Sequence, residues 1–421
     1  MLYYINNMAF FSEAILYLLV FLAMYVQVFF LVTLFENRKK ILVSSGHVKL
    51  GSYPAVTIMV PSFNEEKTIN KTIHSILNLN YPKDKLKVFL IDDGSTDGTW
   101  DVISKFAKYT NIKVFKKENG GKHTALNLGL EHLETDFVGC LDADSFVDKD
   151  ALTRIMSYFA KDKEVMAVVP SIIVSNPTNF IQIAQRAEYN MGVYSRKILS
   201  LLGAIHVTPG PFTIFKKKVF DNLGHYKHAH NTEDMEIACR MQKNFYKIDF
   251  CNDAFVYTNT PSTIKKLFKQ RLRWNYGFLN NTIDYRDVIF KSKYGNFAML
   301  TLPAGILSIV SVCYLSLNMI YNILDFIYNK ILIYRTVGFQ YPVHFFNFDS
   351  FFLNTQFFVF LNIVMYSVLV FAIIFGSRMV NNKWSIPKDV IYFLPVFSII
   401  APFWFLRAIV STVLNKTPAW K

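Results

Sequence analysis

The chain has 421 residues, enough for one large domain or two ordinary ones. Apolar residues make up 52% of the chain and charged residues 18%, which argues against both a wholly membrane-buried and a wholly soluble protein. The formal net charge of +14 would suit nucleic acid, anionic lipid or phosphorylated substrates. The basic residues gather beside apolar segments and no nucleic-acid recognition module is present, so we expect membrane lipids, and not nucleic acid, as partners.

Residues 1–45 are predicted to form an N-terminal transmembrane anchor. Residues 14–35 are apolar apart from Gln27 and Thr33, a run long enough to cross the ~30 Å hydrocarbon layer as a helix. Three consecutive basic residues begin at Arg38, and no lysine or arginine precedes the run, so the first residue is expected outside and the following chain in the cytoplasm. A signal peptide would carry its positive charge before the run and a small-residue cleavage site after it. We therefore expect an uncleaved anchor.

Residues 50–286 are expected to form a cytoplasmic α/β domain. Four short runs of β-branched or aliphatic residues are predicted strands, at residues 56–60, 88–91, 137–141 and 165–169. Amphipathic stretches separate the first three runs, which is the strand–helix alternation of a mostly parallel sheet. Such sheets bind ligands at the carboxyl ends of their strands, and polar motifs stand at those ends here.

Residues 287–421 are expected to hold interface and transmembrane helices. Residues 297–327 and 351–375 are each long enough to span, and the basic residues after the second run indicate a hairpin with residues 325–350 outside. A last apolar segment, residues 390–414, carries Pro395, Pro402 and Arg407. It either spans the membrane or is broken and lies partly at the interface, and hydropathy leaves both alternatives open.

Two of the polar motifs follow the first two predicted strands. In the first, Phe63 offers a ring on which a nucleobase would stack, while Ser62 or Asn64 alternatively caps the next helix. In the second, Asp92 and Asp93 are adjacent at the tip of a buried strand, where a carboxylate would accept a hydrogen bond from a uracil-type base. The residues that follow also suit an ordinary turn, so this motif alone leaves both interpretations open.

Two further motifs suggest a diphosphate and a metal ion. Lys122 follows two glycines at the expected start of a helix, where backbone N–H groups and a lysine suit a diphosphate. Asp142 and Asp144 are two residues apart at the end of a strand, so both carboxylates face one spot. Two carboxylates held together are costly unless a cation such as Mg²⁺ or Mn²⁺ shares them, although a capped turn would also use such a pair.

The last two motifs lie further along the chain. Glu233 and Asp234 precede a helical pattern, either as acids favoured at a helix start or with Asp234 as a general base. Gln270, Arg273 and Trp274 belong to a basic amphipathic segment, which alternatively contacts anionic headgroups.

The order, spacing and strand-end placement of these six motifs, over about residues 54–274, resemble family-2 glycosyltransferases with a GT-A fold. More narrowly, they resemble the membrane-integrated synthases of cellulose, chitin, hyaluronan and poly-N-acetylglucosamine. The motifs are Val-Pro-Ser-Phe-Asn-Glu-Glu, Asp-Asp-Gly-Ser-Thr-Asp-Gly-Thr, Gly-Lys-His-Thr-Ala-Leu-Asn, Leu-Asp-Ala-Asp-Ser, Thr-Glu-Asp and Gln-Arg-Leu-Arg-Trp.

The resemblance implies three groups of site residues. The donor group would hold a UDP-sugar. Its uracil would contact Phe63, Glu65, Asp92 and Asp93. Its diphosphate would contact Lys122 and Arg273, and Asp142 would lie near the ribose or metal. Mg²⁺ or Mn²⁺ would be bound by Asp142 and Asp144. Asp234 would be the general base, and the acceptor would contact Gln270, Trp274, Glu233 and Gly210.

The expected function is inverting transfer of a sugar from a UDP-sugar to a growing β-linked polysaccharide, by a multi-pass enzyme of the plasma membrane with a cytoplasmic catalytic domain. The alternative within this fold is a single addition to a lipid-linked or other membrane acceptor. A second alternative is a non-enzymatic membrane protein or transporter whose soluble part only binds. Accessory subunits are possible further partners, and the sequence does not decide whether they exist. Residues 418–421 resemble a cytoplasmic tryptophan-containing segment of these synthases, yet three spans after the catalytic domain would place them outside.

Overall fold

The computed structural model describes residues 2–42, 50–337, 357–384 and 387–418. The strands are β1 (Val56–Ser62), β2 (Leu86–Asp93), β3 (Ile112–Lys117), β4 (Phe137–Cys140), β5 (Ser145–Val147), β6 (Val165–Val174), β7 (Ile214–Lys216) and β8 (Lys247–Thr258). The helices are α1 (Leu2–Glu36), α2 (Arg38–Leu42), α3 (Ile69–Leu77), α4 (Thr99–Ser104), α5 (Lys122–Glu131), α6 (Ala151–Lys161), α7 (Phe180–Leu201), α8 (Lys218–Leu223), α9 (Glu233–Lys243), α10 (Ile264–Asp284), α11 (Leu302–Val337), α12 (Phe357–Asn381) and α13 (Asp389–Val413).

The strands form one sheet in the order β3-β2-β1-β4-β7-β6-β8-β5. The pairs among β1 to β4 are parallel, as is β6 with β8, while β7 and β5 run antiparallel to their neighbours. The predicted mostly parallel sheet is therefore confirmed, and the four predicted strands are β1, β2, β4 and β6. The other four were not predicted, because β5 and β7 have three residues each and polar residues interrupt the apolar patterns of β3 and β8.

Side-chain alternation along the central strands builds a core on both faces of the sheet. Met59 and Phe89 lie in one buried cluster with residues of α5, α7 and α9. Ile58 and Val88, each one residue earlier, lie in the other cluster with residues of α3 and α6. Both faces are thus covered, which is typical of a parallel sheet and explains why β1 and β2 are almost uniformly apolar.

Helix α7, which no sequence motif indicated, packs between the sheet and helices α12 and α13. Its residues Ala187 and Val193 are fully buried, the first against α12 and α13 and the second in the core of the sheet. A Cβ atom at Gly376 of α12 would collide with the carbonyl oxygen of Asn190, so the two helix backbones touch. A small residue is required at that crossing.

Within the described residues, four helical segments are long and apolar enough to cross a membrane: Ala14–Glu36, Phe297–Thr336, Phe360–Asn381 and Asp389–Val413. The apolar run at residues 14–35, inside the predicted anchor, coincides with the first of these segments. The run predicted at residues 297–327 begins as a π-helix and continues in α11 to Val337, because only three charged residues, Asp325, Lys330 and Arg335, interrupt its second half. The predicted start of the next run, residues 351–356, and loop residues 338–350 lie outside the described residues.

Helices α12 and α13 make different contacts with the rest of the chain. Helix α12 packs on α7 through its second half, where Ala372 and Phe375 are buried. Helix α13 is continuous across both prolines and touches α7 or α10 near each end. At its start Asp389 pairs with Arg186 of α7, and near its end the Thr412 hydroxyl accepts a hydrogen bond from Asn280 of α10 (3.1 Å). Between these contacts, α13 packs on both helices through an apolar cluster.

Candidate active site

The carboxyl ends of β1, β2 and β4 lie side by side, which brings the first four motifs together. Ser62 pairs with Asp92 in the sheet register, and Met59 pairs with Cys140. Asp142 follows the end of β4 by two residues. The expectation that these motifs meet at one edge of the sheet is therefore met in the structure.

Asp93 holds the glycine turn that opens α5. One carboxylate oxygen accepts hydrogen bonds from Lys117 Nζ (2.7 Å) and the Gly120 N–H (3.1 Å), and the other from the Gly121 N–H (2.9 Å). Gly121 has φ +90°, a left-handed conformation that other residues rarely adopt. The acid thus fixes the backbone from which Lys122 projects.

Asp92 is fully buried beside it. One carboxylate oxygen accepts a weak hydrogen bond from the Ser95 N–H (3.3 Å), and the other has no hydrogen-bond partner among the described residues. Because Asp93 is also only 3% exposed, neither carboxylate is open to a base in this conformation. Contact of either acid with uracil therefore remains a prediction.

The loop after β1 is tied to the loop after β2. Asn64 adopts φ +55° and its side-chain oxygen accepts a hydrogen bond from the Thr96 N–H (2.9 Å). The next helix, α3, begins only at Ile69, so neither Ser62 nor Asn64 caps it. Phe63 is half-buried in this loop, directly after the end of β1.

Lys122 lies between two carboxylates on different elements. Its Nζ is 2.6 Å from Asp142 Oδ1 and 3.2 Å from Glu233 Oε1. Burial by itself would lower the pKa of Lys122, but Asp142 and Glu233 together raise it well above its ordinary value. A Cβ atom at Gly210 would collide with Lys122 Nζ and lie 2.8 Å from Asp142 Oδ1. Gly210, predicted on the acceptor side, therefore covers this ion pair.

Asp142 and Asp144 meet the chemical requirements for Mg²⁺ or Mn²⁺. Burial, followed by the charges of Asp142 and Glu65, raises the pKa of Asp144 to about 6. Such mutual repulsion is relieved by a shared cation with hard oxygen ligands. The described part of the chain holds no group of three or more such side chains that would bind an ion unaided. The pair would therefore leave coordination positions to water and substrate oxygens, as Mg²⁺ sites commonly do.

Asp234 stands in the first turn of α9, partly open to a pocket that Lys122, Gly210 and Tyr226 also line. Its main-chain carbonyl accepts hydrogen bonds from the Thr208 N–H (3.1 Å) and hydroxyl (2.8 Å), which fixes the backbone. Burial, followed by the charge of Glu233, raises the pKa of Asp234 to about 6, against the opposite effect of Lys122. A carboxylate with a pKa near neutrality is suited to general base catalysis.

Helix α10 carries the last motif to the same site. Arg273 donates a hydrogen bond from Nη1 to the carbonyl of Asn231 (3.0 Å), and its charge acts on both Glu233 and Asp234. Trp274 is 37% exposed on this helix.

Sequence reasoning missed two residues behind this motif. Arg271 is only 3% exposed, and its guanidinium contacts Gln270, Trp274 and Glu188 of α7. The arginine was visible inside the motif, but the basic character of the segment favoured a surface role for it. Glu188 gave no signal, because it lies in a helix without a motif and meets Arg271 only in the folded chain.

A mostly parallel sheet with paired acids at its strand ends and a further carboxylate at the start of a helix beside them is the arrangement of a GT-A-like glycosyltransferase fold. Residues 57–224 match the family described as "Glycosyl transferase family 2". A poly-β-1,6-N-acetyl-D-glucosamine synthase of Staphylococcus epidermidis is 30% identical over 341 residues, which cover 79% of this chain and 78% of that protein. The corresponding synthase of Staphylococcus aureus is 30% identical over 277 residues, 65% of this chain and 66% of that protein.

The chain belongs to glycosyl transferase family 2 and is a glycosyltransferase. A solved structure, the mannosyltransferase PcManGT from Pyrobaculum calidifontis in complex with GDP-Man and Mn²⁺, superposes with a TM-score of 0.59 at 18% identity. The superposition covers 94% of this chain and 99% of that chain, and it supports the fold.

Proposed function

We propose that this protein is an inverting polysaccharide synthase that extends a β-linked polymer of N-acetylglucosamine from UDP-N-acetylglucosamine. The observation that carries the proposal is Asp234, a partly exposed carboxylate with its pKa raised to about 6, in one pocket with Lys122. The relatives named poly-β-1,6-N-acetyl-D-glucosamine synthases support the choice of sugar and polymer.

In the proposed reaction, Asp234 takes the proton from the acceptor hydroxyl while that oxygen attacks the anomeric carbon of the donor sugar. The bond between this carbon and the oxygen of UDP breaks on the opposite face, so an α-linked donor gives a β-linked product. Lys122 and Arg273 would stabilise the negative charge that develops on the departing diphosphate. A divalent ion held by Asp142 and Asp144 would neutralise further charge there.

Phe63, Glu65, Asp92 and Asp93 remain the proposed contacts for uracil. Because Asp92 and Asp93 are closed off in this conformation, binding of the base would require the glycine turn at Gly121 to move. Gln270 and Trp274 are the proposed acceptor contacts, together with Glu233. Gly210 was expected on the acceptor side, but its closeness to Lys122 and Asp142 supports a place on the donor side, which we propose instead.

The protein would lie in the plasma membrane with its sheet in the cytoplasm. Helix α1 would enter from outside, and α11 with α12 would form a hairpin. Helix α13 touches the cytoplasmic helices α7 and α10 near both of its ends, which supports a position along the membrane surface in place of a third crossing. This arrangement would put residue 418 in the cytoplasm and remove the conflict over the last segment, of which residues 419–421 lie outside the described residues.

The test is to incubate the purified protein with a panel of UDP-sugars and measure both UDP release and the masses of the products. We expect release of UDP from UDP-N-acetylglucosamine in the presence of Mg²⁺ or Mn²⁺ and a ladder of products. A single mass increment would favour one addition to a membrane acceptor. No release from any UDP-sugar would overturn the proposal.

A further inference from the structure

One buried guanidinium contacts both of the proposed acceptor residues of α10. Arg271 donates a hydrogen bond to the side-chain oxygen of Gln270 (2.8 Å). Its guanidinium carbon also lies 4.1 Å from the centroid of the Trp274 ring, a cation–π contact. Since only 3% of Arg271 is exposed, it supports these side chains from behind and does not face the acceptor itself.

The position of Arg271 depends on Glu188 of α7. The Glu188 carboxylate pairs with one terminal nitrogen of the guanidinium, while Nε has no hydrogen-bond partner among the described residues. A buried arginine charge is costly without an acid beside it. Glu188 therefore both compensates the charge and sets the angle of the planar group that stacks on Trp274.

We propose that Glu188 and Arg271 are positioning residues that hold Gln270 and Trp274 at the angle needed to receive the terminal sugar of the acceptor. This inference rests on the proposed function, because it takes Trp274 as the acceptor platform. Glu188 is proposed to act through Arg271, and neither residue is a catalytic residue.

The same geometry separates this pair from the donor. Lys122 is held by Asp142 and Glu233, and Asp93 by the glycine turn, without help from α7 or Arg271. Loss of Glu188 should therefore tilt the acceptor platform while leaving the donor contacts in place. Misplacement of a reacting group by about 1 Å can cost ~10² in rate.

A matched control lies two residues earlier on the same helix. Arg186 of α7 forms a two-pronged ion pair with Asp389 of α13, with N–O distances of 2.6 and 2.7 Å. Asp389→Asn breaks a partly buried ion pair of α7 without removing a contact of Gln270, Arg271 or Trp274. It reports what general loosening of α7 does to the enzyme.

The experiment compares wild type, Glu188→Gln, Glu188→Asp and Asp389→Asn in membranes with matched protein levels, using UDP-N-acetylglucosamine and a short β-linked N-acetylglucosamine oligosaccharide. For Glu188→Gln we expect the ratio of incorporated sugar to released UDP to fall about tenfold, with a higher KM for the oligosaccharide. Glu188→Asp should be intermediate because it retains the charge, and Asp389→Asn should keep the wild-type ratio.

An unchanged ratio in Glu188→Gln, or an equal fall in Asp389→Asn, would overturn the inference while the wild-type activity still supports the proposed function. If the wild type itself releases no UDP from any UDP-sugar, the proposed function fails first.

Discussion

The donor side and the acceptor side of this site are built in different ways. On the donor side, Asp93 and Asp142 stand at or just after the ends of buried strands, and each is held by contacts with a neighbouring loop or helix. On the acceptor side, Gln270 and Trp274 project from one amphipathic helix and share a single support, Arg271.

This difference determines how each side should respond to change. The donor residues are held by contacts from several strands and loops, so Asp144→Asn should remove a charge and leave most of the site in place. The acceptor residues share one support, Arg271 with Glu188, so a substitution there should separate consumption of the donor from growth of the product. The following predictions test that contrast, beginning with the largest effect.

Asp144→Asn should lower sugar transfer by about 10³, because it keeps the size of the side chain but removes the charge proposed to hold the metal. The variant should fold and insert normally. Transfer assays with and without EDTA check this. Full activity in EDTA, or full activity of the variant, would contradict the proposed metal site.

Asp234→Asn should lower turnover by at least ~10², the typical loss when a general base is removed. Donor affinity should stay close to that of wild type, since the ion pairs of Lys122 do not include this side chain. Titration with a UDP-sugar and single-turnover kinetics measure the two quantities. If affinity collapses and turnover at saturation survives, Asp234 belongs to the donor side.

Trp274→Ala should lower transfer to the acceptor by ~10² and spare slow hydrolysis of the donor, because water needs no platform. Trp274→Phe should be intermediate, since the smaller ring still offers a stacking face. UDP release and sugar incorporation are measured side by side in membranes with matched protein levels. Equal loss of both, with poor insertion, would identify Trp274 as a membrane anchor only.

The pH dependence of transfer should follow Asp234. The base must be ionised to accept a proton, and burial together with Glu233 raises the pKa of Asp234 from 3.8 to about 6. We therefore expect kcat/KM to fall towards tenfold per pH unit below pH 6, and to level off above it. A carboxylate of ordinary pKa would give a flat profile down to pH 5, which would contradict the assignment.

Thiol labelling should leave the rate of transfer unchanged, and it tests the proposed position of α13, which packs on α10 on the acceptor side. A single cysteine introduced after the end of α11, within residues 338–350, should react with an impermeant thiol reagent from outside. Cysteines introduced at Asn381 and Lys416 should not react from outside, because α13 is proposed to lie along the surface. Cys140, Cys239, Cys251 and Cys313 are buried, so background labelling is low. Labelling of Lys416→Cys from outside would make α13 a third crossing.

Much of the donor side could be predicted from the sequence, because its signals come from residues that are neighbours along the chain. A buried strand is an apolar run, its end is a polar turn, and parallel strands bring their carboxyl ends to one edge. Asp92, Asp93, Asp142 and Asp144 therefore had to lie near one another. The glycine turn before Lys122 and the acids at the start of α9 are equally local signals, and the structure places each at a helix start.

The roles of particular atoms could not be predicted in the same way. Asn64 was expected to cap a helix, but its left-handed conformation instead joins the first two loops. Gly210 was assigned to the acceptor, but only the folded chain shows its backbone covering Lys122. Such contacts join residues that are 32 and 88 positions apart, and no local pattern encodes them.

By itself, the sequence determined the fold class, the apolar segments and the residues at the strand ends, because hydrophobic periodicity and turn chemistry act over a few neighbouring residues. Only the tertiary structure decided that α7 lies between the sheet and helices α12 and α13, that Glu188 meets Arg271, and that α13 packs on α7 and α10 near both ends. These pairings depend on the burial of whole helix faces and of single charges. Their partners are chosen by the packing of distant segments, which composition and spacing do not record.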